Sequence, residues 1–284
     1  MVTAPSKYRH LPTARELPCS DETPVDNELQ NDIPNILLNL LRLIWSDRQD
    51  WFWGVDMCYY YEPNLNQPKK SKSIVPDGFL AIGVPRRQDD ETPEGGRLSY
   101  VLWQEKVKPI LALEVVSKKY NGEYDLKLAL YKKLGILYYV IYNPLSGRRG
   151  LYKTRQSLEV YKLIDDKYEL QPSVALLQEA GKVVWMPEIG LGIGCEYRVY
   201  GNWDREWVYW YDRHNVRYAT AEERAEKERM IARQERMVAH QERMIAHQER
   251  LAKQKAEQGQ LQAEQKAERL AEKLRSLGID PDQM

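Results

Sequence analysis

Every tryptophan and tyrosine in this chain, 8 and 19 in number, comes before Ala219. Beyond that point the sequence has no aromatic residue, and proline appears only at Pro281. A segment of that kind cannot build a globular core, so the packing unit is expected over residues 27–218, a normal size for one core. Residues 1–26, rich in Pro, Thr, Ser and Asp, read as an irregular lead-in. Residues 219–284 read as a helical tail with a seven-residue repeat: ERMIARQ at 228–234, ERMVAHQ at 235–241 and ERMIAHQ at 242–248. The apolar positions of that repeat are adjacent pairs (Met230 and Ile231, Met237 and Val238, Met244 and Ile245), which is half of a coiled-coil seam. Only near the end do Ala263, Ala267, Leu270, Leu274 and Leu277 alternate four and three. A long helix and a weakly specified coiled coil are expected.

Charge excludes one broad class. The chain balances 42 Lys and Arg against 42 Asp and Glu, so it is no general polyanion magnet, and any nucleic-acid contact must come from a local basic patch. Cys19, Cys58 and Cys195 are odd in number and widely spaced. That speaks against a disulfide framework or a metal cluster and fits a reducing, cytoplasmic setting. The N-terminus lacks an apolar signal region, and the apolar stretch at 33–45 is broken by Pro34, Asn35, Asn39 and Arg42. No membrane association is expected.

Hydrophobic periodicity places the elements. A first helix is expected to start around Asp32, with Pro34 in its first turn and Ile33, Ile36, Leu37, Leu40, Leu41 and Ile44 on one face. Residues 51–61, 74–82, 100–104 and 110–116 read as strands, the last short and apolar as a strand buried on both faces should be. Between them, 86–96 reads as a charged loop. Residues 124–134 switch to helical spacing, with Leu126, Leu130 and Leu134 four apart, Lys127 and Tyr131 on a neighbouring face, and Gly135 as the stop. Residues 137–142 form a strong β run ended by Asn143 and Pro144. Strand, helix, strand over 110–142 predicts a crossover between parallel strands. Further hairpins are expected at 150–153 with 158–164, then at 183–185, 190–194 and 207–211. The fold class is α/β (mixed α+β).

Chemistry is concentrated in three places: Pro76 and Asp77 in one strand, Glu114 to Ser117 ending another, and Lys127 in the helix that follows. Metal-assisted phosphodiester hydrolysis needs carboxylates to hold Mg²⁺, which lowers the pKa of an attacking water and neutralises developing charge. It also benefits from a lysine that orients the water or stabilises that charge. An Asp and a Glu from neighbouring strands can meet at one end of a sheet. Glu114 and Val116 project to the same face of a strand, so position 116 is where a lysine would ordinarily sit.

The pattern PD followed by ExV resembles the PD-(D/E)xK nuclease motif with the lysine missing from its strand. The wider strings IVPDGFLAIGV and PILALEVVSKKYNGEYDLKLALYKKLGILYYVIYNP resemble the Uma-two family of restriction endonucleases over roughly residues 28–215. The resemblance implies a restriction-endonuclease-like core, a mixed sheet flanked by helices. It implies Asp77 and Glu114 as metal carboxylates, Val116 as a backbone-carbonyl ligand, and Lys127 as the lysine displaced onto the helix. Glu28 could add a further carboxylate, as in related nucleases. The one-residue spacing of Asp125 and Lys127 departs from the family's D-x-x-K, leaving Asp125, Glu123 and Tyr124 open as the match to that position.

Blander readings stand beside these. Asp77 could be a turn residue. Lys127 follows Glu123 by four, enough for a surface ion pair, and Lys118 and Lys119 are rival lysines at a strand exit. Ser117 could hydrogen-bond locally or help position a water. The glycines at 190, 192 and 194 precede no helix and make a poor phosphate cradle, and His240 and His247 read as solvated. The aromatics of 203–211 could stack on bases but more often fill a core. The expectation is a Mg²⁺-dependent (or Mn²⁺-dependent) endonuclease acting on DNA as a homodimer, with a possible protein partner for the tail. The rivals are a catalytically inactive nuclease-like platform and a nucleic-acid-binding module without turnover.

Overall fold

The computed structural model describes residues 10–20, 26–88, 95–148, 150–176 and 181–276. Parts of the expected lead-in (1–9 and 21–25), the middle of the charged loop (89–94) and Leu277 lie outside the described residues. The chain divides into two units, residues 1–221 and 222–284.

The first unit runs α1 (Glu28–Ile44), β1 (Trp51–Val55), β2 (Tyr59–Glu62), β3 (Lys72–Ile74), β4 (Gly78–Ile82), β5 (Tyr100–Val101), α2 (Leu102–Glu105), β6 (Leu111–Val115), α3 (Leu126–Leu134), β7 (Tyr138–Tyr142), β8 (Leu158–Ile164), β9 (Lys167–Leu170), β10 (Val174–Ala175), β11 (Gly181–Met186), β12 (Leu191–Tyr200) and β13 (Trp203–Tyr211). The main sheet has the order β1-β4-β6-β7-β8-β9. Its central pair, β6 and β7, is parallel and joined over α3, while its other neighbours are antiparallel. A four-stranded antiparallel sheet, β10-β11-β12-β13, and a small sheet, β3-β2-β5, complete the unit. This is the expected mixed α/β class.

The two faces of the main sheet bury different layers, because successive side chains on a strand point to opposite sides. Leu111, Leu113 and Val115 of β6 join Val140 and Tyr142 of β7 in a core with α1 and the strands β11 to β13. Ala112, Val116, Tyr139 and Ile141 join Phe79, Tyr100 and Tyr131 of α3 in the core on the other side. Helix α1 is therefore on one face and α3 on the other.

Several local expectations shift. Helix α1 begins at Glu28, capped by Asn27, whose side chain accepts the Leu29 N–H at 3.0 Å. Asp32 and Pro34 consequently lie inside the helix rather than at its start. Burial of Leu29 extends the apolar face one turn further back, and Pro34 is accommodated within the helix, itself buried. The run at 100–104 is a strand for only two residues before α2 takes over. That short helix ends at Lys106, in the left-handed region with φ 59°, and its Glu105 forms a buried ion pair with Arg97 at 2.7 Å. Residues 150–152 form a 3₁₀ turn, not a hairpin strand, and β8 pairs with β7 and β9 instead. Cys19, Cys58 and Cys195 form no disulfide.

The second unit is one helix, α4 (Ala221–Ser276), 56 residues long. Met230, Ile231, Met237, Val238, Met244 and Ile245 are exposed on it. Among the described residues no helix is long and apolar enough to cross a membrane.

Two glycines separate core from tail in a way that can be measured. Gly54 lies opposite Phe79 in the β1–β4 register, and a Cβ there would come within 2.2 Å of the Phe79 ring. Gly259 in α4 has nothing within 4 Å of its Cβ position. Chemical denaturation should show Gly54→Ala destabilising the first unit by about 1–3 kcal/mol. Gly259→Ala should leave that transition in place and raise helix content, since alanine is favoured over glycine by about 1 kcal/mol.

Candidate functional site

Three segments bring the sequence's chemical residues to one end of the main sheet. Asp77 ends the turn that leads into β4, and its carbonyl accepts the Asp56 N–H at 3.2 Å. The β4–β6 register sets Gly78 opposite Leu113, which carries Asp77 to the end of β6. There its Oδ2 accepts the Val115 N–H at 2.6 Å, and its Oδ1 has a long contact, 3.4 Å, from the Gln30 amide of α1. Glu114 is the fourth residue of β6 and is 1% exposed. Alternation turns it toward α3, on the side of Ala112 and Val116.

Helix α3 is built to receive that carboxylate. Asp125 caps it by accepting the Leu126 N–H, and Gly135 ends it in the left-handed region at φ 68°, where glycine carries no Cβ penalty. Leu126 is 76% exposed, while Leu128 and Leu134 pack partly buried against the core. The face that meets Glu114 is the row of Lys127 and Tyr131. The Lys127 Nζ donates to Glu114 Oε2 at 2.7 Å, and the Tyr131 hydroxyl donates to Glu114 Oε1 at 2.6 Å. A buried carboxylate demands such partners, and that demand sets which face of the helix turns inward.

The surface-pair reading of Lys127 with Glu123 is therefore replaced by a buried pair with Glu114. Glu123 is itself buried, at 3% exposure, and its Oε2 accepts the Asn121 N–H at 3.1 Å. Its charge reaches both Glu114 and Lys127. From sequence Glu123 was open, as a surface partner of Lys127 or as the match to the family's acidic position, and its burial was not foreseen.

The site's electrostatics follow from burial and from a surplus of carboxylates. Burial, then the charge of Glu114, pushes Asp77 well above its ordinary value of 3.8. Burial also raises Glu114, opposed by the charge and hydrogen bond of Lys127. Burial pulls Lys127 down, but Glu114 outweighs it and leaves the ammonium raised. Three carboxylates thus face one ammonium. Among the described residues no three His, Cys, Asp or Glu side chains converge on a single metal position.

The remaining candidates lie nearby. Val116 is fully buried, and its N–H donates to the Tyr142 carbonyl at 2.8 Å. Ser117 is buried with its hydroxyl 2.6 Å from Asp26 Oδ2 and 2.9 Å from the Lys119 carbonyl, the local bonding open to it from sequence. Glu28 is exposed at the first position of α1, beside Val116 and Ser117. Glu28 shares no hydrogen bond or ion pair with Asp77 or Glu114 among those of the described residues. Lys118 and Lys119 are exposed.

Residues 21–198 match the family model Uma2, described as "Putative restriction endonuclease". The chain belongs to the Uma2 family. No curated protein and no solved structure matches it. The match spans Asp77, Glu114 and Lys127 together with β1 to β11 and most of β12, and membership carries a restriction-endonuclease-like, nuclease-type function at the level of the family.

The carboxylate surplus has a measurable sign. Asp77 and Glu114 hold protons more tightly folded than unfolded, so stability falls as pH rises from their ordinary values, 3.8 and 4.5, toward the raised ones. With chelator present, Asp77→Asn should stabilise the fold at neutral pH and flatten that decline. Lys127→Met should act oppositely, costing about 3–5 kcal/mol at neutral pH by stranding a buried carboxylate. The loss should shrink in acid as Glu114 protonates. Thermal melts across pH for the three proteins check both signs.

Proposed function

We propose that this Uma2 member is a divalent-metal-dependent endonuclease that hydrolyses DNA phosphodiester bonds. The observation that supports it most is the buried excess of negative charge where β4 and β6 end: Asp77 and Glu114 side by side, with Lys127 as the cation paired to Glu114. Buried carboxylates of this kind call for a further positive charge. The donor set is hard oxygen, suited to Mg²⁺ or Mn²⁺, and Mg²⁺ commonly takes only one or two protein carboxylates and keeps several waters. Asp77 Oδ1, with its single long contact, and the Val116 carbonyl complete the set with Glu114. A bound divalent ion supplies a water of lowered pKa and neutralises charge on the phosphate.

The protein's own residues would do the rest. Val115 fixes Asp77 through its backbone N–H, Tyr131 fixes Oε1 of Glu114, and the aromatic layer of Tyr131 and Tyr139 shields that oxygen. Lys127, held at the carboxylates and kept charged by them, is placed to orient the attacking water or to face the charge that develops on the phosphate. Ser117 and Glu28 remain accessory candidates at the strand exit. A homodimer would present two such sites to the two strands of a duplex, and the α4 helix is available to a protein partner.

A second reading has its own supporting observation. Both oxygens of Glu114 are already engaged, by Lys127 and Tyr131, as expected of an inactive nuclease-like platform whose ion pair only holds the fold.

Cleavage assays on mixed DNA substrates separate the two. With Mg²⁺ or Mn²⁺ the wild-type protein should cleave, Asp77→Ala should be inert, and chelator should stop the reaction. Lys127→Met should lose roughly 10²–10³-fold in rate, the scale of one lost charge-stabilising donor, while calorimetry still shows metal binding. A wild-type protein that neither cleaves nor binds metal supports the platform reading.

A further inference from the structure

Beside the carboxylates lies a cleft of about 470 Å³. Its walls are the start of α1, the exit of β6, the turn after β7 and the start of β13. Three of its lining side chains are cationic, Lys118, Arg148 and Arg205, against one lining carboxylate, Glu28; Asp26, bonded to Ser117, and Asp32, which feels the charge of Arg205, stand behind the lining. Lys118 and Arg148 are exposed. Each of the three cations comes from a different segment, so the positive charge is spread along the cleft rather than focused on one point.

At the rim stands Trp203, 39% exposed. The other aromatics of β13, Trp207, Tyr209, Trp210 and Tyr211, are buried in the core, so this strand fills a core along its length and presents an indole only at its start. That indole is held in place. Arg205 lies over its ring, 4.5 Å from the centroid, and Trp207 packs edge-on at 5.8 Å.

The cleft also shares a strand end with the carboxylates. Val116 and Ser117, which line it, come two and three residues after Glu114 along the chain, and Gln30, two residues beyond Glu28, reaches Asp77. Distributed cations with one fixed, accessible aromatic match a polyanion that carries planar rings. A small anion would need the cations to converge, and an acidic peptide would have no use for the indole. In an intact duplex the base faces are already stacked, so an indole can reach only an unpaired or terminal base.

We infer that this cleft holds one strand of the nucleic acid, with Lys118, Arg148 and Arg205 along its phosphates and an unpaired base stacked on Trp203. The substrate preferred at the Asp77–Glu114 site is then single-stranded, frayed or looped. This deepens the nuclease reading and rests on it for the reaction that follows binding.

Binding can be read without cleavage. Full-length protein in chelator is titrated into a labelled mixed-sequence single strand and into its duplex, and anisotropy is followed over a salt series. The single strand should bind more tightly. Arg148→Ala and Lys118→Ala, both exposed positions, should each weaken it and lower the salt slope by about 0.7 per lost phosphate contact. Trp203→Ala should weaken single-strand binding about tenfold and leave duplex binding unchanged, and Trp203→Phe should restore most of it. Absent binding, a duplex bound at least as tightly, unchanged affinity in Trp203→Ala, or equal competition by polyglutamate would each overturn the inference. An active nuclease whose cleft variants bind like wild type would overturn this inference alone. An inert protein that still binds through Trp203 would overturn the nuclease reading alone.

Discussion

A carboxylate at 1% exposure, Glu114, sits in the middle layer of the main sheet, and much of the surrounding arrangement follows from keeping it paired. An isolated charge there would simply neutralise. Lys127 and Tyr131 together occupy both its oxygens, and both belong to α3, so the crossover helix is docked by a polar contact as well as by Leu128 and Leu134, which pack against the same core. The aromatic cover continues outward. The Tyr131 ring lies 4.9 Å from that of Tyr139, and the Tyr139 hydroxyl donates to the Glu123 carbonyl at 2.8 Å. Behind that cover the local dielectric is low, which strengthens the pair and makes any unpaired member costly. Such a pair is weak evidence for stability taken alone; its consequence here is geometric, fixing α3 against β6.

The opposite face has a different logic. There Leu111, Leu113 and Val115 meet α1 and the second sheet in an apolar core, with the Trp210 indole donating to the Leu37 carbonyl at 3.0 Å. Asp77 joins the two layers. Its Oδ2 is tied to β6 through Val115, and its Oδ1 faces α1 through Gln30. The carboxylates thus stand where the strand ends meet both helices, and the cleft opens at the same edge. A site so placed is held by regular elements on most sides and reached from one, as a positioned reactive group requires.

How much of this was legible follows from the range of the forces involved. The strand, helix and strand over 110–142, the stop at Gly135 and the convergence of Asp77, Glu114 and Lys127 were readable, because periodicity, glycine punctuation and a carboxylate in an apolar strand are local signals. The rest of α3's packing was less so: Lys127 was expected at the carboxylates, but nothing local said that Tyr131 would take the other oxygen of Glu114 or that Leu126 would be exposed. The start of α1 was missed because Asp32 and Pro34 have the local chemistry of a helix start, while the cap that forms, Asn27, is decided by the burial of Leu29. Glu123 stayed open for a similar reason: its spacing from Lys127 allowed a surface pair, and only the fold shows it buried and accepting the Asn121 N–H. Trp203 could not be told from its strand neighbours, since exposure differs along β13 while composition does not.

The described part of the tail obeys local rules, which is why its helical character was legible. Its Met and Ile/Val pairs recur every seven residues and are exposed, with Gln at the positions that would complete a seam. Its helicity must then come from propensity and from contacts one turn apart, such as Arg229 to Glu226 at 3.8 Å and Gln260 to Glu264 at 3.2 Å. Contacts of that kind repeat without a unique register, so they specify a helix much more strongly than they specify a particular partner for it. Before residue 221 the contacts are long-range and define a shape; after it, those that form are local and repeated.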